Sequence, residues 1–304
     1  MEAYVLAVLS MAGIYAILAM SYDLTFGFAG MFSVAHGAFF GIGAYGGALA
    51  MLSLGLPFLA ALLLGATLSG GVALIVAAPA SRLEGDYLVV GSLAFAVICY
   101  DLMVNMTGIT RGPMGLPGIP SPSILGVTFD TPWLLLFVIM LLLAITSLVA
   151  ARIAFSPYGR VLRALKDDPV AVEAAGKSVI RYKIEVMAVS GAMAGAAGTV
   201  YATYVNFIDP ESFVLRTSFV ILVATVLGGV GTLWGPCLGA LFLWIVPEAL
   251  RFVGIPSGVR GPLNEIAYGC LLLGVVLLRP EGLIGKRRLV TRSAADKGQE
   301  GYRV

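Results

Sequence analysis

Apolar residues along this chain gather into long uninterrupted runs, near 3–21, 24–52, 56–80, 87–107, 132–151, 184–205, 217–253 and 262–278. A hydrocarbon core of roughly 30 Å asks for about 20 apolar residues per helix, so the pattern predicts a succession of membrane-spanning helices. Two runs are too long for a single crossing. At 1.5 Å per residue the run 24–52 would extend about 43 Å, and it holds seven glycines, so a broken or re-entrant segment is expected. The run 217–253 is interrupted midway by Gly228, Gly229, Gly231, Gly235 and Pro236, which predicts two helical pieces joined by a turn.

Composition agrees with lipid as the solvent: 59% of the 304 residues are hydrophobic, 12% are charged, and the mean hydropathy is +0.97. A soluble domain carries about 25% charged residues. The predicted class is therefore an all-α polytopic membrane protein of about 8 to 10 transmembrane helices. It has one membrane domain over 1–281 and a basic solvated tail over 282–304. The chain opens Met1-Glu2 with no basic stretch, and no small-residue cleavage site follows the first run, so that run is expected to stay as a membrane helix.

Lys and Arg are retained on the cytoplasmic side of membranes. One lies at Arg82, seven in 152–183 and seven in 279–303, together 15 of the 19, which predicts that these three segments are cytoplasmic. Arg111, Arg216, Arg251 and Arg260 then fall on the opposite face. The segment 217–253 must start and end outside, as a hairpin would. If 24–52 crosses once, Met1 is outside and the helices number nine; if it crosses twice, Met1 is inside and they number ten.

The net charge of +2 and the scattering of basic residues at helix ends give no stripe for nucleic acid. Cys99, Cys237 and Cys270 stand alone in apolar runs, without metal-ligand spacing. No catalytic motif, bound cofactor or metal site is read, and membrane lipid is an expected partner of the bundle. Gly176-Lys177-Ser178 mimics the end of a phosphate-binding loop, but the glycine required five residues earlier is Ala171. Energy for any transport must come from another subunit.

One long polar interruption, within 152–183, reads SPYGRVLRALKDDPVAVEAAGKSVIRYK. Ser156-Pro157 has the form of a helix N-cap followed by a first-turn proline, predicting a short helix to about Asp167. Asp168-Pro169 repeats the signature, starting a second helix through Ala175 that Gly176 terminates. The small Ala171, Ala174 and Ala175 suit insertion into another protein's groove, and Glu173 supplies an orienting charge.

The stretch DDPVAVEAAG resembles the coupling loop by which permeases of ABC importers engage their ATPases. Together with FGFAGMFSVAHGAFFGIGAY, RGPMGLPGIP, VLGGVGTLWGPCLGA and LRPEGLIG, it resembles the LivM-type branched-chain amino acid permeases. These stretches cover residues 26–285 in the family's order. The resemblance implies a type II importer fold and a bacterial inner-membrane location. It also implies partnership with a LivH-type permease, LivG/LivF-type ATPases and a periplasmic amino-acid-binding protein. On that reading Asp168, Pro169, Val170, Ala171, Val172, Glu173, Ala174, Ala175 and Gly176 form the ATPase-coupling segment. Where relatives of this type often show SLGHAAF, this chain has FSVAHGAF, keeping Ser33 and His36 in step but altering the residues between. The competing class is an ion-coupled secondary transporter of small polar solutes, for which Asp101 would be the well-placed charge.

Charges inside a membrane cost at least about 2.5 kcal/mol on insertion scales, so each is a functional candidate. Asp23, between the first two runs, is expected as a helix cap near the interface. His36 either bonds a freed backbone carbonyl or lines the translocation path with Ser33. Asp101 and Asn105, four apart, share a helix face expected to point into the bundle, for structural bonding or path lining. The loop 108–131 carries Pro113, Pro117, Pro120 and Pro122 and is either a structured cap or a linker. With Asp209, Glu211 and Arg216 it is the expected docking surface for a binding protein. Gly191 with Gly195, and Gly231 with Gly235 and Gly239, are spaced for close helix contact, within the chain or with a sister permease.

Overall fold

The computed structural model describes residues 2–83, 85–124 and 127–251, together with 266, 269, 270, 273, 274 and 282–284. Eleven helices are present among them: α1 Glu2–Asp23, α2 His36–Leu52, α3 Phe58–Ala80, α4 Asp86–Asn105, the single turn α5 Thr107–Thr110, α6 Pro132–Phe155, α7 Pro157–Asp167, α8 Pro169–Ala174, α9 Val179–Val205, α10 Leu215–Gly228 and α11 Gly235–Arg251. Six stretches are long and apolar enough to cross a membrane: 2–28, 58–80, 86–105, 132–155, 179–205 and 210–228. α2 and α11 have 17 residues each, about 25 Å of helix. The run 262–278, apart from five isolated residues, and the tail beyond 284 lie outside the described residues.

The over-long run 24–52 is broken. Its first five residues, Leu24–Phe28, extend α1 as a π-helix. Residues 29–35 are irregular, Gly30 taking φ +73°, and one helix, α2, follows. The second over-long run is the expected hairpin of α10 and α11, turning through positive-φ Gly229 and Gly231.

Side-chain and backbone contacts place the ends of several helices. Lys166 of the polar loop reaches Gly27 at the end of α1, Lys183 reaches Ser81 at the end of α3, and Gly231 reaches Asp23. The C-terminal ends of α1, α3 and α10 therefore share the side of the polar loop, and the start of α1 lies on the opposite side. The other end of the bundle carries a small platform. β1 Leu116–Pro117 pairs antiparallel with β4 Phe207–Ile208, while β2 Ser123–Ile124 pairs with β3 Val127–Thr128. The proline-rich loop is thus structured, and its rim is sewn to the chain after α9.

The centre of the bundle is α9 between α2 and α3. Small residues set the distance: a Cβ added at Gly195 would collide with Ser69 Cβ and the Gly65 carbonyl, and one added at Gly43 would run into the Gly195 backbone. Ser69 Oγ, fully buried, donates to the carbonyls of Phe39 and Gly191, both at 2.8 Å, pinning all three helices at one height. Close packing, not hydrophobic exclusion, holds helices together in lipid. The glycine spacings at 191/195 and 235/239 serve contacts of this kind within the chain, since added Cβ atoms there meet Ala73, Gly228 and Ala224.

Candidate functional site

The polar loop folds as the cap chemistry predicts. Ser156 Oγ accepts from Gly159 N at 3.2 Å, and Asp168 Oδ1 accepts from Val170 N at 2.9 Å and Ala171 N at 3.1 Å, so each side chain satisfies first-turn donors. α8 ends at Ala174, one residue before the expected end, and Ala175 is its C-cap. Gly176 N bonds Glu173 O at 2.8 Å and Lys177 N bonds Val172 O at 3.2 Å, the paired closure of a helix whose next residue is left-handed. Gly176 supplies that conformation at φ +74°.

One face of this pair of helices is anchored. Leu165, Val172 and Val179 are buried together against Val161 and Tyr182, tying α7, α8 and the start of α9 into one unit. Tyr158 OH donates to the Tyr182 carbonyl at 3.2 Å. Burial, reinforced by nearby Glu185, pushes the Tyr158 phenol up, so it stays protonated and available as a donor. The other face is free: Val170, Ala171, Glu173, Ala174, Ala175 and Gly176 are exposed, Val170 at 76%. Beside it lies a groove of about 720 Å³ whose walls include Arg160, Ala164, Ala171 and Ala175. A rigid projection with small residues on its outer surface is thus held below the bundle.

The loop also grips the helix break. Lys166 Nζ donates to Gly27 O at 2.7 Å, and the Arg163 guanidinium sits 5.8 Å from the centre of the Phe28 ring. Asp23 is no helix cap. It lies within the continuous α1–π-helix segment, 2% exposed, and its Oδ1 accepts from Gly231 N at 2.8 Å. Asp23 and the hairpin turn lie 208 residues apart, so sequence spacing gives no sign of the pairing.

His36 is buried as well. Its Nε2 pairs with Ser190 Oγ at 2.9 Å, and Ser190 in turn donates to the Ser21 carbonyl. The imidazole thus bonds a hydroxyl of α9 and not, as expected, a backbone carbonyl. Tyr22 and Phe39 close edge-on around the imidazole. Ser33 Oγ accepts from Ala35 N at 3.2 Å, supporting the turn that starts α2.

Asp101 and Asn105 do share a face, and Asn105 Nδ2 donates to the Asp101 carbonyl at 2.8 Å. That face points away from the interior of this chain, contrary to expectation: α4 packs through Leu88, Ser92, Ala96, Cys99 and Met103, while both polar residues are exposed. A four-residue spacing identifies a shared face, not its direction, and the small side chains at 92, 96 and 99 make the closer seam.

The opposite end of the bundle brings the other candidates together. Ile119 N and the Asn206 carbonyl, and Asn206 Nδ2 and the Ile119 carbonyl, bond across the loops at 3.3 and 2.8 Å. Asp209 Oδ1 caps its own short turn through Ser212 N and Oγ, at 3.0 and 2.6 Å. Glu211 accepts from Tyr100 OH of α4 at 2.6 Å, and Arg216 is exposed at the start of α10. Sequence reasoning missed Lys166, Arg163, Gly27 and Ser190. A signal existed for the first two, since Leu162 and Leu165 mark the buried face of α7 and so place the neighbouring basic residues at its edge.

The family described as the permease component of branched-chain amino acid transport systems matches residues 4–278. The high-affinity branched-chain amino acid transport system permease protein LivM of Salmonella typhimurium is 32% identical over 321 residues, covering 96% of this chain and 73% of that protein. The probable LivM of Methanocaldococcus jannaschii is 29% identical over 247 residues, covering 76% of this chain and 69% of its own. The permease protein LivH of Escherichia coli K12 is 23% identical over 297 residues, covering 90% and 91%. No solved structure matches.

Proposed function

This chain belongs to the permease-component family of branched-chain amino acid transport systems, and from that premise we propose that it is one of two permease subunits in an ATP-driven importer of branched-chain amino acids. The observation that carries the coupling to ATP is the exposed, doubly capped α8, buried on the Val172 side and offering Ala171, Glu173, Ala174 and Ala175 outward. Such an element transmits force because its position is fixed relative to α6 and α9 while its outer surface remains open to a partner's socket.

Within this reading the LivH-type relative names the kind of sister permease, and LivG/LivF-type ATPases take α8 from the cytoplasm. Asp101 and Asn105 face outward from this chain, where a carboxylate against lipid would be costly. They therefore line the path between the two permeases, while Ser33 and His36 hold the helix break. A periplasmic binding protein docks on the platform formed by β1, β4 and the turn holding Asp209 and Glu211. The fold is of the type II importer class with nine crossings. α11 leaves from the polar-loop side, and the backbone N–H groups of Leu283 and Ile284 bond the carbonyls of Leu227 and Gly228 on that same side, at 2.9 and 3.1 Å. The C-terminus is cytoplasmic in an inner-membrane protein.

The test is a cysteine at Ala171 crosslinked to the ATPase in purified complex, with uptake measured for Glu173→Lys. Expected is a crosslink in the parent background and insertion without uptake for Glu173→Lys. Full uptake by that variant with no crosslink obtainable would sink the assignment.

A further inference from the structure

The π-helix at the end of α1 is where three separate parts of the molecule meet. Its Gly27 cannot be replaced without displacement, since an added Cβ would strike Asp23 Oδ1 and come within 2.5 Å of Gly231 N. The Gly27 carbonyl takes the Lys166 ammonium at 2.7 Å, and the aliphatic stem of Lys166 lies where an added Cβ at Gly30 would meet it, at 3.0 to 3.3 Å. At the same turn, Asp23 Oδ1 accepts from Gly231 N at 2.8 Å in the connection between α10 and α11, and a Cβ added at Gly231 would meet the Gly27 carbonyl at 3.2 Å. The contacts thus join α7, the π-turn with its Asp23, and the α10–α11 connection at Gly27.

Each joint in this chain is stiff. Lys166 directly precedes the Asp167-Asp168 junction, and the buried Leu165–Val172–Val179 cluster makes α7 and α8 one body. A charge-assisted bond of 2.7 Å is short and directional. π-turns interrupt the regular α-helical ladder, and such interruptions recur at functional sites. The carbonyl that Lys166 holds therefore lies on the segment where α1 leaves the regular α-helical ladder.

We propose that Lys166 and Asp23 are positioning residues for transport: Lys166 passes displacement of the coupling unit to the π-turn, and Asp23 passes it on to the α10–α11 hairpin. The inference rests on the reading of α8 as the ATPase contact. It adds a route into the bundle besides the covalent ones through α6 and α9, and it assigns the π-turn as its input joint.

The experiment uses the complete transporter, with both permeases, the ATPases and the binding protein, reconstituted in liposomes. Leucine uptake and ATP hydrolysis are read per assembled complex for the parent, Lys166→Met, Lys166→Arg and Asp23→Asn, so that a lower yield of protein cancels. Assembly is counted by the Ala171 crosslink. Expected for Lys166→Met is a retained crosslink and retained hydrolysis, with leucine carried per ATP lower by about five- to tenfold, the size of a coupling loss of 1 to 1.4 kcal/mol. Lys166→Arg, which keeps a charged donor, should recover most of it, and Asp23→Asn should fall between. An unchanged ratio in Lys166→Met with the crosslink intact overturns the proposal while leaving the coupling reading standing. Loss of assembly in both Lys166→Met and Asp23→Asn overturns it too, because the pair would then serve folding alone. A parent complex that gives no crosslink overturns the coupling reading and this inference together.

Discussion

Gly176 shows how much a single position carries. A Cβ added there meets nothing within 4 Å, so the residue is required by its left-handed backbone and not by space. Substitution consequently separates two causes that are normally mixed. Gly176→Asn, which tolerates the left-handed region, should leave α8 near its parental stability, whereas Gly176→Val should cost about 1 kcal/mol or more. Hydrogen exchange at the Gly176 and Lys177 amides checks this: exchange should rise severalfold in the valine variant and stay near parental in the asparagine one. Equal exchange in both would mean that the closing turn is held by something other than backbone conformation. Residues of this kind were legible in the sequence, because a cap and its helix are neighbours along the chain. Asp23 and His36 were visible only as anomalies. Their partners, Gly231 and Ser190, stand 208 and 154 residues away, and composition contains no record of such pairings.

Among the elements, α4 departs furthest from expectation, and the physical reason is its two competing seams. One carries small residues at 92, 96 and 99 and packs inside; the other carries Asp101 and Asn105 and faces out. Its upper end also holds Tyr100 against Glu211 of the platform, so the proposed path and the proposed docking surface meet on one helix. Cysteines placed singly at Asp101 and Asn105 should therefore react with a membrane-impermeant thiol reagent added from outside, and a cysteine at Ala96 should not. Docking of the binding protein should slow both reactions. Labelling at 101 and 105 no faster than at 96 would place that face in lipid or in a dry interface and remove the residues from the path. The strands of the platform were not foreseen at all. Two-residue strands leave no alternation to read, and the pairing of Leu116 with Ile208 joins segments on opposite sides of the polar loop in sequence.

At the scale of the whole molecule the sequence announced a membrane bundle, a hairpin over 217–253 and a break within 24–52, all of them read from run length and glycine position. Which helices would touch was not written in the runs themselves. The glycine contacts answer it, and they can be measured. Gly195→Val would push side-chain atoms into Ser69 and the Gly65 carbonyl, an overpacking that costs about 1 to 3 kcal/mol. The thermal midpoint of the purified protein should fall, while the same change at Gly71, which meets nothing within 4 Å, should leave it near parental. Comparable midpoints for the two variants would show that the α2–α3–α9 seam is looser than drawn.

That seam has a consequence for how the protein is made. α9 is the least apolar of the six long spans and the most completely buried, with Lys183 near its start and glycines along its length. A segment of that character has a weak claim on lipid by itself. Its resting place, the glycine- and serine-lined trough between α2 and α3, is synthesised about a hundred residues earlier, and must stay vacant while α4, the platform loop, α6 and the polar loop emerge. The order of translation thus leaves the trough unfilled until α9 arrives, and in a nascent chain halted before residue 179 the close-packing positions of α2 and α3 would still lack their partner.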